Sequence, residues 1–243
     1  TRSILRLGTY QIAYMNVPAH AAVSATVDLA PTKTRGFINA VLRRISEADI
    51  ADMTWPSEAA RLSYPEWIAD ALHADLGDDA AVALDRMNQA PTVTERADGY
   101  VQDFSSLWVA YAVEAKAGER VLDMCSAPGG KATAMAGSGA TVIAADRQEH
   151  RAALVRENVE RLELELPVVI ADGTRPPFGS ATFDAVLLDA PCSGLGALRR
   201  RADARWRIEP NDVRELARLQ AQLLAAAASL VRPGGRLVYS VCT

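Results

Sequence analysis

From about residue 105 onward the chain predicts a doubly wound α/β domain built on a parallel sheet, and an all-helical module precedes it. Three observations lead there. Short apolar runs suited to strands alternate with stretches of helical periodicity over 105–243. The first three of these runs lead in order to Asp123, Asp146 and Asp172. All three cysteines, Cys125, Cys192 and Cys242, sit where such a run stops. Ligands and reactive groups gather at the carboxyl ends of parallel strands, so thiols there suggest cysteine chemistry on a bound substrate.

Residues 1–45 read as helices. Ile4, Leu5, Gly8, Ile12 and Met15 recur at helical spacing until Asn16-Val17-Pro18 breaks the pattern. A second helix is expected over 21–30. A third, over 37–45, ends in Arg43 and Arg44, cations suited to a helix C-terminus. Residues 46–90 hold the Trp55-Pro56 and Tyr64-Pro65 breaks and then two short alanine-rich helices, and 91–104 read as a loop or irregular approach. A helix over 106–113 leads into the first strand, 120–125. The second strand is 141–146, a helix over 150–162 follows, and the third strand is 167–172. The fourth spans 183–188. A long helix over 213–230 carries Val213, Leu216, Leu219, Leu223, Ala227 and Leu230 on one face, with Asn211 or Asp212 available as N-cap. Pro233-Gly234-Gly235 turns the chain into the fifth strand. The alternation predicts a parallel sheet with right-handed crossovers, and in a sheet of order 3-2-1-4-5 strands one, four and five would be neighbours. Neighbouring strands lie about 4.8 Å apart, so Cys192 and Cys242 would come from adjacent tips.

Composition narrows the classes. A 49% hydrophobic, 23% charged chain of 243 residues is an ordinary globular protein able to bury a sizeable core. No run of about 18 apolar residues exists to span a membrane. Three cysteines without CxxC clustering argue against a disulfide framework and for a reducing, cytoplasmic setting. The net charge of −4 argues weakly against a general nucleic-acid binder, but its distribution is uneven: +5 over 1–45, −8 over 46–90 and −1 beyond. Neither a metal cluster nor a Ser-His-Asp arrangement is expected, since His20, His73 and His150 do not converge on any motif. Trp55, Trp67 and Trp108 are expected in the core or at an interface.

The turn Cys125-Ser126-Ala127-Pro128-Gly129-Gly130-Lys131 follows the first strand. Its glycines let a ligand approach the backbone. It is neither a Walker A loop nor GxGxxG, so it reads as a generic nucleotide-type site or as a turn needed only for packing. Asp146 closes the second strand, where an acid can accept from both ribose hydroxyls. Asp172 closes the third and could address an adenine. Arg199, Arg200, Arg201, Arg205 and Trp206 follow the Cys192 loop, offering phosphate forks and a stacking face, although a charge run is often only a solvated surface. The thiol of Cys125 reads as a small hydrophobe.

Asp189-Ala190-Pro191-Cys192-Ser193-Gly194 and Tyr239-Ser240-Val241-Cys242-Thr243, together with Ser126 to Lys131, resemble the Sun-type family of RNA cytosine-C5 methyltransferases. Arg6-Leu7-Gly8-Thr9-Tyr10, the stretch 17–23 and the stretch 35–44 resemble the NusB-like RNA-binding domain fused to the bacterial 16S rRNA methyltransferase B branch. The resemblance covers most of the chain and is weakest over 46–104. It implies a Rossmann-like, S-adenosylmethionine-dependent methyltransferase domain over 105–243, an acidic helical connector over 51–104, and an incomplete NusB-like domain over 1–50. It implies that S-adenosylmethionine occupies the turn from Cys125 to Lys131, with Asp146, Asp172 and Asp189 completing its site. Cys242 would be the nucleophile towards cytosine C6, Cys192 would help release product, and Asp189 would stabilise the ring. Lys131 and helix N-termini, with the sulfonium, would favour the thiolate. The substrate implied is 16S rRNA, with the cytosine single-stranded or flipped out. The same reaction on tRNA or another rRNA site, and a non-catalytic RNA-binding assembly factor, are the rival readings. The sequence is also expected to be part of a longer protein. It stops one residue after Cys242 without the closing strands of a methyltransferase sheet, and it looks shortened near Ala30-Pro31.

Overall fold

The computed structural model describes residues 1–15, 17–48 and 54–242. They form two compact units, Thr1–Arg61 and Leu62–Thr243. Asn16, part of the expected first break, and Thr243 lie outside the described residues.

In the first unit, α1 (Arg2–Tyr14), α2 (Ala19–Asp28) and α3 (Arg35–Glu47) pack around Val23, Ala30, Ile38 and Leu42. Gly8 lets α1 approach α3 closely: a Cβ there would come within 2.7 Å of the buried Leu42 side chain, which would have to shift. The third helix starts earlier than its apolar pattern: Arg35 folds back to donate from Nε to the Ala30 carbonyl at 3.0 Å. A short α4 (Glu58–Arg61) closes the unit.

The second unit opens with α5 (Glu66–Leu76) and α6 (Ala80–Arg86), the two alanine-rich helices expected. Residues 94–102 are not irregular. They form a small antiparallel hairpin through the Glu95–Val101 bridge, and α7 (Phe104–Ala112) follows. The α/β layer then runs β1 (Arg120–Asp123), α8 (Gly130–Ala136), β2 (Thr141–Asp146), α9 (Glu149–Arg161), β3 (Val168–Ile170), β4 (Phe183–Asp189), α10 (Pro210–Leu230) and β5 (Val231–Ser240). All neighbouring strands pair in parallel, in the order β3-β2-β1-β4-β5.

Both faces of the sheet are covered, so the strands read as continuous apolar runs. The two-residue period sends Val121, Ala185 and Leu187 to the face covered by α7, α8 and α9, against Ala110, Val113, Ala132, Met135 and Val155. Leu122, Val186 and Leu188 turn to the opposite face, against Leu223, Ala227 and Leu230 of α10. Leu122, Leu187 and Leu188 are fully buried, and each contributes roughly 1.5–3 kcal/mol.

Helix α10 begins before its expected cap. Pro210 occupies the first turn, Glu209 is the N-cap, and the Glu209 N–H donates to Asp212 Oδ2 at 2.8 Å. Asp212 therefore serves the helix start from inside the first turn. Proline suits that position because its missing N–H would have no helical acceptor. No helix among the described residues is long and apolar enough to cross a membrane, and no group of His, Cys, Asp or Glu among them could hold a metal.

Candidate active site

The parallel order brings the ends of β1, β4 and β5 side by side, and the turn after β1 sits against them. Strand pairing continues past β1: the Met124 N–H donates to the Leu187 carbonyl at 2.9 Å, and the Ser126 N–H to the Ala145 carbonyl at 2.8 Å. Gly129 then adopts φ +104°, a left-handed conformation that favours glycine, and an added Cβ would meet Val155 at 3.1 Å. From α9, Arg151 donates to the Ala127 carbonyl and Asn158 to the Pro128 carbonyl, both at 3.0 Å. The turn is therefore held on both flanks.

Four acids ring it. Asp146, almost fully buried, accepts the Ala127 N–H at 3.2 Å and the Gln148 N–H at 3.0 Å. Asp172 accepts both the N–H and the hydroxyl of Thr174, which hold its carboxyl below its usual range. Asp189 Oδ2 lies 2.5 Å from Lys131 Nζ, and its Oδ1 accepts from the Ser240 hydroxyl at 2.5 Å. Asp123 stands apart. It is 1% exposed, and neither of its oxygens nor the nearby Ser126 hydroxyl has a hydrogen-bond partner among the described residues. Burial raises the Asp123 carboxyl to about 7 against the pull of Lys131. An unmet buried carboxyl and hydroxyl under a glycine turn are what a cationic, polar ligand seated there would answer.

The thiols fall into two classes. Cys125 is half-buried against the α10 side of the core, and burial pushes its thiol up to about 12, with Asp123, Asp146 and Asp189 adding to the rise. It behaves as a small apolar side chain. Cys192 and Cys242 instead meet, Sγ to Sγ, at 2.9 Å. The Cys242 thiol hydrogen-bonds to Cys192 and lowers it to about 6; partial burial opposes the shift, while the N–H groups of Cys242 and Gly194 assist it. Cys242 moves upward for the same reason, since its proton is shared with a thiolate. The loop geometry is fixed around them: the Gly196 N–H donates to the Cys242 carbonyl at 3.1 Å, and Gln220 holds the Pro191 carbonyl at 2.9 Å.

Two expectations need correction here. Lys131 does not serve the thiols, because its ammonium is engaged by Asp189, and Asp189 itself opposes the Cys192 thiolate. Nor do the arginines after Cys192 present one outward face. Arg205 is 3% exposed, lies 3.9 Å from the centre of the Tyr64 ring, and donates to the Ser63 carbonyl and Asn88 Oδ1 at 3.0 and 2.7 Å. Arg199 binds the Gln89 and Ala90 carbonyls, and Arg200 binds Asp103. Arg201 and Trp206 remain exposed, Trp206 by 62%. Trp108, expected in the core or at an interface, lies outside the core, 62% exposed beside Phe104. A groove of about 510 Å³ opens next to Ser193, floored by Ala204, Ile208, Leu216 and Leu219 and edged by Arg207. Asp123, one of the three acids closing the first strands, and Ser240, inside the 239–243 motif, carry no expected role in the sequence, yet the first is left unmet and the second holds Asp189.

This order of strands, with acids at successive tips and a glycine turn after the first, defines a methyltransferase-type α/β domain. A methyltransferase homologue from Pyrococcus horikoshii superposes with a TM-score of 0.62 at 24% identity, over 78% of each chain. NSun6 from the same organism, solved with SFG, matches 59% of this chain and 38% of its own at 34% identity and a TM-score of 0.54. The family described as 16S rRNA methyltransferase RsmB/F matches residues 110–243, and the NusB family matches 1–47. Ribosomal RNA small subunit methyltransferase B of Sodalis glossinidius is 33% identical, over 99% of this chain and 69% of its own. The Mycobacterium tuberculosis protein Rv1407 is 38% identical over 311 aligned positions, covering 99% of this chain and 67% of its own. The chain belongs to the RsmB/F family of 16S rRNA methyltransferases. That aligned span exceeds the chain's 243 residues, so Rv1407 carries internal stretches that this chain lacks.

Proposed function

We propose that this chain methylates C5 of a cytosine in 16S rRNA, using S-adenosylmethionine and a transient bond between Cys242 and cytosine C6. The observation that carries the reading is the 2.9 Å contact between Cys192 and Cys242 at neighbouring strand ends beside the glycine turn. Cytosine C5 is a weak nucleophile, and adding a soft thiol at C6 turns it into an enamine carbon able to accept a methyl group. S-adenosylmethionine, when bound, supplies that electrophilic methyl group. The turn from Cys125 to Lys131 and the acids Asp123, Asp146 and Asp172 would hold it, Asp146 facing ribose hydroxyls and Asp172 the adenine.

As the Cys242 sulfur bonds to C6, its proton passes to the Cys192 thiolate. Asp189, held by Lys131 and Ser240, accepts from the cytosine amino group and keeps the ring in register. Once Cys192 has given its proton to solvent, it takes the C5 proton as the bond between Cys242 and C6 breaks. Passing that proton from Cys192 back to the departing Cys242 sulfur, across the 2.9 Å contact, leaves the two thiols as they began. Pure RNA binding needs neither group, so the pair favours catalysis over an assembly role. The target base must leave any helix to meet both sulfurs, and exposed Arg201 and Trp206 in the loop that follows Cys192 suit an unpaired strand.

Trapping tests this. RNA carrying 5-fluorocytosine should form a covalent adduct with the wild type and S-adenosylmethionine, mapped by peptide mass to Cys242, and none with Cys242→Ala. Cys192→Ala should form adduct on ordinary RNA more slowly, having lost the base that takes the Cys242 proton, and should then hold it, because removal of the C5 proton needs the same base. An adduct mapped to Cys192, or turnover by Cys242→Ala, would reverse the assignment.

A further inference from the structure

Residues 88–103 contribute nothing to the thiol pair, yet they are gripped from two sides. Arg96 Nη1 donates to the Gly130 carbonyl at 2.8 Å, to Gln102 Oε1 at 3.1 Å and to Thr133 Oγ1 at 3.2 Å. The same guanidinium pairs with Asp98, and its side chain is only 8% exposed. Tyr100 lies between Arg96 and Arg161, at 4.9 and 5.3 Å from ring centre to guanidinium. A Cβ on Gly130 would come within 3.0 Å of that ring, so the hairpin is seated directly on the first residue of α8. Its own backbone closes through the Arg96 N–H to the Tyr100 carbonyl at 2.9 Å and the Gln102 N–H to the Thr94 carbonyl at 3.0 Å.

The other grip comes from the loop that follows Cys192. Arg199 donates to the Gln89 and Ala90 carbonyls at 3.4 and 3.2 Å. Arg200 donates to the Thr92 carbonyl at 3.4 Å and pairs with Asp103 at 2.9 Å. Past Gly130 the connections continue inward: Lys131 is next in the chain and reaches Asp189, which closes the strand leading to Cys192. A largely buried arginine with four acceptors and a stacked ring fixes a position far more tightly than apolar packing does.

We infer that residues 88–103 form a strap that sets the glycine turn against the Cys192 loop, with Arg96 and Arg200 as its positioning residues. The inference rests on the reading that the methyl donor occupies that turn. Neither residue is catalytic, since each acts through the turn or the loop it holds.

Calorimetry with S-adenosylhomocysteine and no RNA tests it. Arg96→Ala should raise the Kd about tenfold, the loss of roughly one charged hydrogen-bond set. Arg96→Lys, which keeps the charge but not the fork, should fall in between. Arg200→Ala is the sharper variant, because its side chain touches the strap and not the turn; it should still raise the Kd by about threefold, with Arg200→Lys partly restoring it. A residue that merely adds stability would lower the melting temperature and leave the Kd of the folded protein unchanged, and that result overturns the strap. So does a loss confined to Arg96 with Arg200→Ala binding normally. Should Arg96→Ala not fold, Arg96→Lys and Arg200→Ala carry the test. A wild type that binds no S-adenosylhomocysteine removes the cofactor assignment and the strap together, whereas binding retained by all variants removes the strap alone.

Discussion

Two sulfur atoms in contact share one proton, and the consequence can be read as a titration. The usual thiol value of 9.0 falls to about 6 at Cys192 because Cys242 and two backbone N–H groups stabilise the thiolate. The lowered group is charged above that value and neutral below it. Alkylation of Cys192 by iodoacetamide, followed by peptide mass against pH, should therefore rise to a plateau just above about pH 6. In Cys242→Ala the largest stabilising contact is lost, and the midpoint should move up towards 9.0. A wild-type midpoint near 9.0 would remove the shared proton from the mechanism. The pairing itself was legible in the sequence, since two apolar runs ending in cysteine on adjacent parallel strands can hardly avoid each other. The source of the acidity was not. Lys131 and Asp189 are separated by 58 positions, and nothing in their local sequence says that they neutralise one another.

Among elements, the stretch around Arg205 departs most from a linear reading. Five arginines near one tryptophan look like a single basic face, but the tight 3-10 turn over Ala202–Trp206 rotates Arg205 inward while Trp206 turns out. Periodicity gives no warning, because a short 3-10 turn has no repeat long enough to read. Arg205 then ties this loop to the segment holding Ser63, Tyr64 and Asn88. Arg205→Ala should lower unfolding free energy by about 2–3 kcal/mol in urea titrations, from the lost hydrogen bonds and the space left over Tyr64. The salt dependence of RNA binding should be unchanged. A variant of normal stability that binds RNA weakly would return Arg205 to the interface. The parallel sheet, by contrast, was legible in the sequence: apolar runs alternate with helical stretches, and the first four lead to the acids Asp123, Asp146, Asp172 and Asp189. The hairpin at 94–102 escaped because it lacks alternation and draws its stability from Gly130 and Thr133, distant in the chain.

At the scale of the whole molecule, charge opposes the proposed partner. A net charge of −4 and a pI near 5.5 repel a polyanion, so RNA affinity must come from local cations such as Arg201 and the +5 of residues 1–45. Each phosphate contact to single-stranded RNA contributes about 0.7 to the slope of log affinity against log salt. Arg201→Ala should reduce that slope by about 0.7, measured by fluorescence anisotropy across a salt series, and a slope unaffected by the change would leave Arg201 without a phosphate. The extremes of the sheet carry a different consequence. Strand β3 is three residues long, whereas β5 runs for ten and, among the described residues, pairs only with β4. Its first half is irregular, interrupted by Pro233, by Gly234 at φ +78° and by the register break opposite Phe183 and Ala185. From Arg236 to Ser240 it runs in unbroken register with Ala185 to Asp189. Cys242 therefore takes its depth from those consecutive rungs, and a one-residue slip at the irregular start would carry it away from Cys192 without touching either thiol.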